Sequence, residues 1–142
     1  MQQMLGQVVS DTAGPGFYDA TLEVDSWLRE NRARDGLLTV FIRHTSASLV
    51  IQENADPDVQ VDLRTRLQVL APENDGYLHD CEGPDDMPAH IKAMLTATSL
   101  SIPVKGGRLL LGTWQALYIA EHRAQPHRRE LALHFMGTVD EI

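Results

Sequence analysis

Residues 130–137 read ELALHFMG, so Leu131, Leu133 and Phe135 alternate with Ala132, His134 and Met136. Apolar side chains at every second position describe a strand with one buried face, and no helix reproduces that period. Such a strand must lie against another layer, and the rest of the chain has to supply it. Residues 4–9, 37–43 (LLTVFIR), 48–52 (SLVIQ) and 99–104 are short and rich in β-branched or aromatic residues, and read as further strands. Lys105-Gly106-Gly107-Arg108 is a hairpin signal, because a type I′ turn needs positive φ at both central positions. Residues 109–120 are then its long return strand.

Val24, Trp27, Leu28 and Asn31 follow helical spacing, with Asp19 or Thr21 as N-cap and Gly36 as end signal. A second helix follows the turn Asn54-Ala55-Asp56-Pro57; Asp56 or Asp58 caps it, and Val59, Leu63, Leu67 and Leu70 form its buried stripe. Pro72 stops it, and residues 71–86 make a long irregular connection of the kind that usually carries function. Asp86-Met87-Pro88 opens a short third helix with Asp86 as N-cap, and His90 lies on that helix. Strands without regular βαβ alternation, with two longer helices and one short helix, predict an α+β domain with largely antiparallel sheet over residues 1–142.

The composition (43% apolar, 23% charged) is that of a globular chain, with no apolar run near the roughly 20 residues of a membrane span. The first residues lack a basic segment followed by an apolar one, so no secretory signal is expected. Cys81 is the single cysteine and cannot form an internal disulfide; a cytoplasmic location is expected. A net charge of −8 argues against nucleic acid or anionic membranes as partners. Ten acids fall within residues 53–86 against Arg64 and Arg66, whereas six basic residues within 87–129 face Glu121 alone. A cation-binding wall beside an anion-binding one is the arrangement this split permits, although both halves also suit solvated faces.

His44, His79 and His90 fall at element boundaries or in the long connection, where an imidazole can be aimed at a metal. No HExxH or CxxC spacing accompanies them, so the sequence alone leaves metal ligation and ordinary hydrogen bonding both open. Ser46 lacks the G-x-S-x-G context of a nucleophile, and its hydroxyl suits a turn or an anionic ligand better. Asp85 could bind a cation or act as a general base, beside Glu82 and Asp86. Lys92 is either a surface residue or a contact for an anionic substrate group. Trp114 and Gln115, read as mid-strand, face opposite sides; Glu121, His122 and Arg123 end that strand and could form a site rim.

HTSASLVIQENADPDVQVDL from His44, YLHDCEGPDDMPAHIK from Tyr77, SLSIPVKGGRLLLGTWQALYIAEHR from Ser99 and the closing RRELALHFMG resemble the YjbQ family along essentially the whole chain. The resemblance implies a YjbQ-like α+β fold assembled as a homotrimer. It also implies a weak thiamine-phosphate synthase activity that joins a pyrimidine diphosphate to a thiazole phosphate and releases pyrophosphate. It further implies a divalent metal, zinc by its histidine motifs, with magnesium suited to a diphosphate substrate. On the matching motifs His44, His79 and His90 become the metal ligands. Glu53, Glu82, Asp85 and Glu121 become catalytic candidates. Ser46, Asn54, Lys92, Trp114, Gln115 and Arg123 become contacts to a small phosphorylated substrate. Gln52 and Ala116 depart from the family pattern, and Ala116 adds a methyl group where glycine is usual. A metal-dependent hydrolase of a small phosphorylated metabolite and a non-catalytic trimeric binding protein are the alternatives.

Overall fold

The computed structural model describes residues 1–141. The alternation of residues 130–137 sits inside a thirteen-residue strand, His127–Val139 (β8). Gln2–Thr12 (β1) pairs antiparallel along one edge of β8, and Ala33–Ile42 (β3) along the other. Ser99–Lys105 (β5) and Arg108–Leu109 (β6) extend this sheet, giving the order β1-β8-β3-β5-β6. A second, three-stranded antiparallel sheet sets Gln115–Glu121 (β7) between Gly16–Asp19 (β2) and Ala47–Glu53 (β4). Leu38, Val40 and Ile42 of β3 and Leu131, Leu133 and Phe135 of β8 form one apolar cluster with Leu49, Leu117 and Ile119 of the smaller sheet. Val24 and Leu28 of the helix Thr21–Glu30 (α1) complete it.

Several boundaries differ from the sequence reading. Gly36 does not end α1: the helix stops at Glu30, Arg32 takes the left-handed turn at φ 61°, and Gly36 lies inside β3 opposite Gly137. A Cβ on Gly36 would sit 2.1 Å from the Met136 carbonyl oxygen, so this position serves close strand approach at an irregularity in register. The long return strand is in fact β6, a connection through residues 110–114, and β7; Trp114 precedes β7 instead of lying mid-strand. The stripe foreseen on the second helix, Pro57–Leu70 (α2), is only half-buried at Val59, Leu63 and Leu67, and Leu70 is exposed. That helix lies against the short edge strand β2. Its cap is as expected, with Asp56 accepting the Asp58 N–H.

Residues 71–85 are irregular, and the helix Asp86–Leu95 (α3) follows them. It is as long as α1, ten residues each, and its N-cap is Asp85; Asp86 is the first helical residue and makes no cap. No helix among the described residues is long and apolar enough to cross a membrane.

Candidate functional site

Asp86 and His90 are one turn apart on α3, so both side chains leave the same face of the helix. The irregular segment before α3 brings His79 to meet them. The Nε2 atoms of His79 and His90 lie 2.7 and 3.1 Å from one oxygen, Asp86 Oδ2. One ligand atom from each of the three residues falls within 4.8 Å of the others. Glu82 Oε2 is 3.8 Å from His79 Nε2. The Asp86 side chain is 2% exposed while those of His79 and His90 are 40% and 32% exposed, so a buried carboxylate forms the floor of an open site. A cleft of about 500 Å³, open solvent at its mouth included, adjoins it, lined in part by Tyr77, His79 and Met87.

Arg123 fixes that floor. Its Nη1 donates to Asp86 Oδ1 at 2.7 Å, its Nε to Asp85 Oδ2 at 2.9 Å, and its Nη2 to the Glu82 carbonyl at 3.0 Å. One guanidinium thereby ties the end of β7 to the start of α3, with every donor nitrogen engaged. Asp85 Oδ2 also accepts the Ala124 N–H at 2.8 Å. Burial raises the Asp86 pKa, but the bond with His79 and the charge of Arg123 outweigh it, leaving the carboxyl below its ordinary range. Asp85 is lowered too: its bonds to Ala124 and Arg123 exceed the cost of burial.

The donor set fits a divalent cation. His90 Nδ1 donates to the Thr45 carbonyl at 2.9 Å, while Nε2 faces Asp86 Oδ2. A neutral imidazole carries one N–H, so His90 satisfies both acceptors only with two ring protons or with a cation in place of one. A backbone carbonyl holding the far nitrogen is also the usual way a metal-binding histidine is oriented. Two histidines, one carboxylate and an open side are the makings of a catalytic zinc site.

His44 is not brought to this cluster. Its Nε2 accepts the Glu130 N–H at 2.8 Å, and burial and then the charge of Arg129 lower its pKa, so the ring is neutral with that lone pair occupied. Glu121 is not a free acid either: it is buried, and its oxygens accept from Thr12, Arg129 and the backbone of His122 and Arg123. Burial raises its pKa, and the bonds from Arg129 and Thr12 more than reverse that. Ser46 Oγ accepts from Arg129 at 3.1 Å. Glu53 accepts the Asp56 N–H and so shapes the turn into α2; the Asn54 N–H donates to the Trp114 carbonyl. Gln115 accepts the Gly112 N–H, and Trp114 is exposed. Lys92 is buried on α3 and donates to Gln68 Oε1 at 3.0 Å. Of the residues singled out in the sequence, the structure brings His79, His90, Glu82, Asp85 and Arg123 into one region, where Asp86, read there as a helix cap, sits between the two histidines. The signal was present: aspartate and histidine four residues apart share a helix face, but a carboxylate at a helix start also reads as a cap.

A family profile described as UPF0047 protein YjbQ-like matches residues 7–138. The chain belongs to that family. Within it, UPF0047 protein sll1880 of Synechocystis sp. is 49% identical over 134 residues, covering 93% of this chain and 90% of the relative. UPF0047 protein YjbQ of Escherichia coli O157:H7 is 42% identical over 123 residues, covering 86% and 89%. The YjbQ-like fold recurs in the conserved hypothetical protein TT1486 of Thermus thermophilus. It has a TM-score of 0.84 and 34% identity, over 92% of this chain and 99% of that one. A YjbQ/UPF0047-family protein of Clostridium acetobutylicum has a TM-score of 0.79 and 34% identity, over 94% and 99%.

Proposed function

We propose that the protein is an enzyme that holds one divalent cation, zinc by its donor set, between His79, Asp86 and His90 and acts on a small phosphorylated molecule. The position of His90 between two acceptors carries this reading. When bound, the cation supplies Lewis-acid stabilisation of charge developing on a phosphoryl or pyrophosphate oxygen. Arg123 keeps Asp86 ionised and aimed, and Asp85 aligned behind it. Glu82, exposed beside His79, is the carboxylate free to take a proton at the mouth of the site.

The first reaction to test is the joining of a pyrimidine diphosphate to a thiazole phosphate, which the family resemblance suggests. Hydrolysis of a phosphate ester is the second reading, favoured by the solvent exposure of both histidines. We extend the proposal to a cytoplasmic homotrimer. Exposed Leu5, Leu37, Phe41 and Met136 on the outer face of the larger sheet support an assembly that would cover them.

Elemental analysis of untagged protein tests the premise. Near one equivalent of metal is expected, and Asp86→Ala or His79→Ala should lose most of it. Less than roughly a tenth of an equivalent, with no gain when zinc, magnesium or manganese is added, overturns the metal reading. Given metal, formation of thiamine phosphate from the two halves supports transfer. Its absence, with release of phosphate from simple esters, supports hydrolysis.

A further inference from the structure

On the side of α3 away from His90, a second cleft lies between α2, β2 and the end of β7. It measures about 290 Å³ including its mouth, and is lined among others by Arg64, Gln68, Lys92, Glu121 and His122. Lys92 is 6% exposed, and its ammonium has one acceptor, Gln68 Oε1, for three N–H groups. His122 is 5% exposed; its Nε2 is paired with Ser48 Oγ at 2.9 Å, and its Nδ1 has no partner among the described residues. The Ser48 hydroxyl in turn meets Thr96 Oγ1 at 2.5 Å. If Ser48 donates to Nε2, the neutral ring carries its proton on Nδ1. Arg64 has no ion-pair partner among the described residues. The one carboxylate in the lining, Glu121, is already neutralised by Arg129.

Two cationic side chains and the His122 imidazole line the cleft from α2, α3 and the end of β7, and Glu73 and Asp85, the carboxylates whose charges act on Lys92, lie outside that lining. A buried ammonium with one acceptor for three N–H groups is costly, and an anion in the cleft would complete its bonding. Donors arriving from three elements suit a tetrahedral dianion better than a planar carboxylate. We propose that this cleft is an oxyanion site that takes a single phosphate group through Lys92, Arg64 and His122.

The site stands independently of the metal reading, so it is tested on chelator-treated protein with inorganic phosphate as the calorimetric ligand. One saturable site is expected with a dissociation constant on the order of 1 mM or tighter, displaced by sulfate and ignored by acetate. Arg64 is exposed, so Arg64→Ala should fold normally and weaken binding about tenfold. Lys92→Met and His122→Gln should weaken it at least as much, with melting curves confirming that they fold. Phosphate should also move the His122 Nδ1 resonance in nitrogen-15 spectra of the imidazoles. His79→Ala should retain phosphate. No saturable binding up to about 20 mM overturns the proposal. So does equal binding by Arg64→Ala and wild type, acetate binding as tightly as phosphate, or loss of binding in His79→Ala.

Discussion

His122 is almost wholly shielded from solvent. Burial, followed by the charge of Lys92, pushes its pKa from 6.5 to about 4, with Glu121 opposing and Arg129 assisting. Between those values an unfolded chain binds a proton that the folded one refuses, so stability rises with pH across that window. It is fully present above pH 6.5 and lost as pH falls toward 4, by about 3 kcal/mol at most from this group. Chemical denaturation of wild type and His122→Gln at pH 4.5, 5.5 and 7 should show a flatter profile for the variant; parallel profiles would place the acid sensitivity elsewhere. Single residues were also where the sequence was hardest to read. His44 and His79 look alike as histidines near element ends, yet His44 is taken by a backbone N–H 86 positions away. Nothing local to His44 announces that contact.

Among the elements, those with strong periodicity were legible. α1 and β8 follow from the spacing of Val24 and Leu28 and of Leu131, Leu133 and Phe135, all of them fully buried. β2 was not, because Gly16–Asp19 has no alternation of its own and exists as a strand by pairing with β7. The apolar run ahead of β7 hid a turn in the same way, as Leu109 to Leu111 read like strand whichever side of the turn they occupy. The β3–β8 contact gives an element-scale prediction. Gly36→Ala drives a methyl group onto the Met136 carbonyl, and should cost at least about 2 kcal/mol as strands are forced apart. Thermal unfolding should show a melting temperature lower by roughly 5–10 °C. Gly112→Ala, whose nearest neighbour is the flexible Gln115 side chain, should change it little.

For the whole molecule, the outer face of the larger sheet carries Leu5, Phe41 and Met136 at 79, 44 and 47% exposure. If a homotrimer covers that face, light scattering should give three times the chain mass, and Phe41→Lys or Leu5→Lys should shift it toward one without unfolding the domain. A trimer indifferent to both substitutions would move the interface elsewhere. The larger sheet has one more property, set by its order β1-β8-β3. Its central strand is made last of the three, so during synthesis β1 and β3 wait with a strand-wide gap between them and bare edges facing it. Arg123, which holds Asp86, and Arg129, which steadies Glu121, both lie beyond the end of β7. Translation therefore delivers the keystone after the arch: a ribosome-bound chain that has already emerged through α3 owns its candidate ligands but cannot yet hold them in place.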